Sequence, residues 1–202
     1  MEKGYGIIMK ITRLFDADGY RGTKNYIETQ KKYVAVRTII YFGISLSLFL
    51  AGFIATKTRI NLLTIVAVLG CLPASKSAVE MIMFFKFRSC SPENISVIEK
   101  NMGELNGLYD MVFTSYDKNY NVSHMTVKGN TICGFSEDKN FDEQGFYKHL
   151  DNILTIDGFK DTSVKIFTDI KKYGERLRQL KELDANEAPT EGIIKTLKSV
   201  VL

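Results

Sequence analysis

Hydrophobic positions are concentrated in two nearly unbroken runs, residues 38–56 and 60–85, while the segments around them repeat at helical or strand spacing. The first run, TIIYFGISLSLFLAGFIAT, has 19 residues and no charge. As a helix at ~1.5 Å per residue it reaches ~28 Å, about one hydrocarbon core. The second run has 26 residues and is interrupted by Pro73, Lys76 and Glu80; its uncharged part, residues 60–75, reaches ~24 Å. Only Lys57, Thr58 and Arg59 separate the runs, which predicts a two-helix transmembrane hairpin within residues 34–88. Residues 23–37 contain no helix breaker and are expected to continue into the first span.

After residue 88 the pattern changes to that of a small α/β domain, residues 89–183, with the order α-β-β-β-α-β-α. Ser91-Pro92-Glu93 is a helix start, and Ile95, Ile98, Met102 and Leu105 then mark one buried helical face. Strand-like runs follow at 108–116, 121–127 and 131–135, the last two joined by a tight turn at Gly129-Asn130. A helix over 142–156, a strand over 163–167 and a helix capped by Thr168-Asp169 complete the domain. Ile170, Tyr173, Leu177 and Leu180 face inward on that last helix. Its Lys171, Lys172, Arg176, Arg178 and Lys181 read as a solvated face, because Glu175 and Glu182 interleave with them. Residues 184–190 form a polar linker, and the amphipathic tail 191–202 is expected to dock on the domain, the membrane or another subunit.

Charge sharpens the hairpin reading. The net +4 divides into +8 over residues 1–88 (13 Lys/Arg, 5 Asp/Glu) and −4 over 89–202 (14 Lys/Arg, 18 Asp/Glu). Lys3, Lys10, Arg13, Arg21, Lys24, Lys31, Lys32 and Arg37 precede the first span, whereas the link holds only Lys57 and Arg59, so both termini are expected on the cytoplasmic side. The basic segment 1–33 opens with an amphipathic phrase at residues 5–15, suited to lying on a lipid surface or to packing as a short helix on the rest of the protein. The apolar run begins only near residue 38 and lacks a convincing cleavage site, so the expectation is a retained multi-pass cell-membrane protein rather than a cleaved leader. An acidic domain argues against nucleic acid as a partner, since phosphate binding needs clustered Lys and Arg. Cys71, Cys90 and Cys133 have no metal or redox spacing and read as buried free thiols; His124 and His149 read as ordinary partly buried residues.

Two constellations stand out. Lys76 and Glu80 are four apart, hence neighbours on one helical face, and a charge inside a bilayer is costly enough to mark a functional pair. The competing reading has Lys76 reaching the interface and residues 79–87 forming an amphipathic exit helix. Gly43, Ser45, Ser47, Gly52 and Gly70 permit close helix approach in a homo-oligomer, in which Lys76 and Glu80 would line a polar path.

The second constellation lies in the domain. The order helix, three strands, helix, strand over residues 92–168, with the hairpin NVSHMTVKGNTICGFSEDK at 121–139, resembles the restriction-endonuclease-like core of nuclease-related domains. That resemblance implies an Asp on the strand before the hairpin and a Glu-x-Lys after it, holding a divalent metal such as magnesium. Glu137-Asp138-Lys139 matches the Glu-x-Lys, but Ser123 stands where the Asp belongs, and Asp110 on the preceding strand is the remaining candidate carboxylate. No Walker A loop, G-x-S-x-G or G-x-G-x-x-G occurs. The expectation is therefore a membrane-anchored, non-enzymatic binding or regulatory module without a cofactor, partnered by the bilayer and another protein. The alternative is a membrane-tethered nuclease-like enzyme or nucleic-acid binder using Asp110, Glu137 and Lys139.

Overall fold

The computed structural model describes residues 13, 14, 16, 18–183 and 187–202. The amphipathic phrase at the start of the basic segment and residues 184–186 of the linker thus fall largely outside the described residues. The chain forms two compact units, one built on residues 27–87 and the other on residues 18–26 and 88–202.

The first unit is a hairpin of α1 (Tyr26–Thr56) and α2 (Leu62–Lys86), both long and apolar enough to cross a membrane. Helix α1 starts well before the apolar run, as the breaker-free segment predicts. The link is longer than three residues. Lys57 adopts a left-handed backbone (φ +56°), and Asn61 caps α2 by accepting a hydrogen bond from the Thr64 N–H at 2.9 Å. An asparagine embedded in apolar residues concealed that cap in the sequence. Helix α2 continues through Pro73 to Lys86, so no separate exit helix forms over 79–87.

The helices meet along a seam of small residues. On α1, Thr38, Ser45 and Gly52 are buried at seven-residue spacing; on α2, Ala67, Ala74 and Ser77 are buried. Repetition at seven keeps one stripe of a helix turned towards its partner. A Cβ on Gly70 would lie 2.7 Å from Ser45 Oγ, and one on Gly52 would lie 2.6 Å from Asn61 Oδ1, so both glycines mark close approach. Gly43 and Ser47 lie outside the seam and are exposed.

The second unit has the expected element order: α3 (Pro92–Met102), β1 (Gly107–Thr114), β2 (Asn119–Lys128), β3 (Thr131–Phe135), α4 (Glu143–Ile156), β4 (Ser163–Phe167), α5 (Ile170–Glu182) and α6 (Thr190–Val200). The sheet order is β1-β2-β3-β4, antiparallel except for the β3–β4 pair, which α4 connects as a crossover. Gly129 supplies the positive φ (+57°) for the two-residue β2–β3 turn. One face of the sheet packs Met111, Phe113, Val122 and Ile132 under Phe146 and Leu150 of α4 and Ile193 and Leu197 of α6. The other packs Tyr109, Cys133 and Phe135 under Ile98 of α3 and Tyr173 and Leu177 of α5.

The tail therefore docks on its own domain. Val201 bridges to Phe113, the Leu202 N–H donates to the Val112 carbonyl at 3.0 Å, and the Tyr109 N–H donates to the Gly22 carbonyl at 2.9 Å. These contacts close the outer edge of β1. His124 is completely buried, a correction to its expected partial exposure, because β2 is covered on both faces.

Candidate functional site

Side-chain alternation slips at one level of the sheet. Leu108 and Met111 face the same layer although three residues apart, and so do Val122 and Met125 on the neighbouring strand. Between them lies Asp110, flanked by the Tyr109–His124 and Met111–Val122 pairs and therefore opposite Ser123. Asp110 has φ +55°, a left-handed conformation uncommon outside glycine, and is buried. Its Oδ1 accepts a hydrogen bond from the Cys90 N–H at 2.9 Å.

Glu137 reaches the same place from beyond the end of β3. Its Oε1 accepts from the Ser91 N–H at 2.9 Å and from Asn94 Nδ2 at 2.6 Å, while its own N–H lies 3.4 Å from Ser123 Oγ. Two of the three residues singled out in the domain thus converge on the start of α3. Lys139 does not join them: it sits exposed in the turn after β3, where Asp138 Oδ1 accepts from the Asn140 N–H. The Ser91 side chain makes no cap hydrogen bond, and Glu137 takes the acceptor role at this helix end.

Electrostatics agree with that arrangement. Burial alone would raise the Glu137 carboxyl, but the bonds from Ser91, Asn94 and Cys90 together hold it below its ordinary value, so it is ionised at neutral pH. The positive end of α3 favours the same charge. Burial, followed by the Glu137 and Asp110 charges, pushes the Cys90 thiol up to about 12; it stays protonated and is no nucleophile.

The metal implied by the nuclease resemblance does not fit these residues. A hard divalent ion needs several free carboxylate oxygens. Here Ser123 replaces one carboxylate, Asp110 and Glu137 each spend an oxygen on main-chain N–H groups, and Lys139 is exposed. Among the described residues, no group of three or more His, Cys, Asp or Glu is arranged to hold a metal ion. Truncating Glu137 to alanine is expected to lower stability by about 1–2 kcal/mol, because bonds to a charged acceptor are lost. Denaturant unfolding measures this, with millimolar magnesium leaving the wild-type midpoint unchanged. A magnesium-dependent rise that disappears in Glu137→Ala would restore the metal reading.

In the hairpin, Glu80 pairs with Arg37 of α1 rather than with Lys76, which is exposed. Arg37 Nε also donates to Ser77 Oγ at 3.1 Å, and Ser77 Oγ lies 2.8 Å from Thr38 Oγ1. The Lys76–Glu80 pair is therefore replaced by a cross-helix cluster of Arg37, Thr38, Ser77 and Glu80. Positions 37 and 80 are equidistant from the Thr58-Arg59 turn, an arithmetic signal of facing residues that spacing along one helix does not reveal.

Comparison with protein-family models, curated proteins and solved structures finds no match to this chain.

Proposed function

We propose that this chain is a membrane-anchored binding module. The hairpin α1–α2 spans the bilayer with both termini cytoplasmic and carries an α/β domain whose Asp110 and Glu137 hold α3 against the sheet rather than perform chemistry. The observation that supports anchoring is the outward surface of the hairpin. Ile39 is 71 % exposed, Ile54 74 % and Leu62 77 %, with Leu46, Ile65, Leu69, Leu72 and Ile82 also exposed. Each such side chain left in water forfeits about 1.5–3 kcal/mol of available burial, and lipid removes that penalty. The excess of Lys and Arg before α1 supports the orientation.

The test is membrane fractionation with cysteine labelling. Carbonate washing should leave the protein in the membrane, and a cysteine placed at the fully exposed Tyr116 should be labelled only after the cells are permeabilised. The native Cys90 and Cys133 are buried and unsuitable reporters. Release into the soluble fraction, or labelling of Tyr116→Cys in intact cells, would overturn the assignment.

One observation favours the nuclease-like alternative: Asp110 and Glu137 bind the adjacent Cys90 and Ser91 amides at the start of α3. Metal-dependent cleavage of nucleic acid by the purified protein, abolished by Glu137→Ala, would establish it.

A further inference from the structure

The two edges of the sheet are treated differently. Chain from both ends of the second unit closes β1, as described above. β4 forms the other edge, and among the described residues no strand pairs with its outer side. The Ser163 N–H donates to the Asn130 carbonyl, and the Phe167 carbonyl accepts from the Ser136 N–H. Residues 163, 165 and 167 therefore turn their main-chain groups towards β3. By alternation, Val164 and Ile166 present theirs outward. Unpaired main-chain groups on an edge strand, here those of the half-buried Val164 and the buried Ile166, are a template for an added strand.

A groove flanks this edge on each face of the sheet. On the α4 side, a groove of about 260 Å³ is lined by Phe146, Tyr147, Val164 and Ile166 together with the polar Glu143, Gln144 and Lys165. On the α5 side, a groove of about 520 Å³ has Lys165, Lys172 and Arg176 in its lining against the single carboxylate of Glu175. This basic concentration lies on a segment, residues 89–202, whose net charge is −4.

We propose that the open edge of β4 docks an extended acidic segment of a partner protein by strand addition. Successive side chains of an added strand point to opposite faces. The partner segment therefore alternates: apolar residues enter the α4 groove, and Asp or Glu meet Lys165, Lys172 and Arg176. A second copy of this chain is disfavoured, because pairing β4 with β4 about a two-fold axis would set the two cationic α5-side surfaces next to each other. The inference rests on the binding-module reading and names its partner chemistry. Failure here leaves the anchoring test untouched.

The experiment uses the full chain in detergent micelles and a fluorescent octapeptide of alternating glutamate and valine, read by anisotropy. The peptide should bind about tenfold or more tightly than its lysine–valine counterpart. Methylating alternate peptide nitrogens on the bonding edge should abolish binding, and K172E/R176E should weaken it by about tenfold at unchanged thermal stability. Should that variant fail to fold, Lys165→Glu serves as the second probe. Absence of binding, equal binding of the lysine peptide, or indifference to methylation or to the charge reversals would each overturn the proposal. So would concentration-dependent dimerisation through β4, which would assign the edge to a second copy.

Discussion

Replacing Glu80 alone with leucine is expected to destabilise the closed hairpin by about 3 kcal/mol, while Arg37→Leu with Glu80→Leu restores most of the loss. The single change leaves the Arg37 guanidinium with the neutral oxygens of Ser77 and Leu14 in place of its carboxylate. A charge stranded there costs more than the pair contributes, so removing both groups is the milder lesion. Lys76→Leu should have little effect on pairing, because Lys76 is exposed and Glu80 is engaged elsewhere. The readout is a disulfide trap at Ser45 and Gly70. A Cβ on Gly70 would lie 3.7 Å from Ser45 Cβ, within the range that a disulfide accepts. Cross-linking of Ser45→Cys with Gly70→Cys should be efficient with the native pair, depressed by Glu80→Leu and recovered in the double replacement. Additive losses from the two single replacements would show that Arg37 and Glu80 act independently.

The second large effect is on acid stability, through His124. Its Nδ1 lies 2.7 Å from the Tyr173 hydroxyl, which in turn donates to the Cys133 carbonyl at 3.4 Å. Nε2, on the other side of the ring, has no hydrogen-bond partner among the described residues. The edge of Tyr109 packs on the same ring, 4.5 Å between centroids. Burial, and secondarily the charge of Lys24, lower the His124 pKa from 6.5 to about 3. Between those values the unfolded chain binds a proton that the native state refuses, so stability falls as pH falls. The contribution is fully present above pH 6.5 and is lost progressively towards about 3. Each pH unit well inside that window costs about 1.4 kcal/mol, or about 3 kcal/mol over two units. Denaturant unfolding across this range should show the slope, and the His124 ring resonances should not titrate down to pH 4 in the native state. A native titration near the ordinary histidine value would refute the assignment.

Residues chosen for chemistry and residues chosen for packing proved differently readable. The α/β order of the domain was visible because each element carries its own local signal: Ile95, Ile98 and Met102 on a helix, the short strand-like run 131–135, and Gly129-Asn130 in a two-residue turn. Convergence of Asp110 with Glu137 was not visible. It depends on a left-handed residue in β1 that shifts side-chain alternation by one, and on the start of α3 arriving beside β3. Asn94 and the Cys90 and Ser91 amides carried one clue, since a helix start attracts a carboxylate, but nothing local says which one.

The sequence by itself determined the two apolar helices, the polarity change at residue 88 and the succession of elements in the domain. These follow from hydrophobic period and turn chemistry, properties of neighbours in the chain. Only the tertiary structure decided that Glu80 belongs to Arg37 and not Lys76, that Glu137 is bound to main-chain amides, and that the β1 edge is closed while β4 is open. Those outcomes depend on which surfaces meet when separate elements pack, and a side chain four residues away has no priority over one brought across a hairpin.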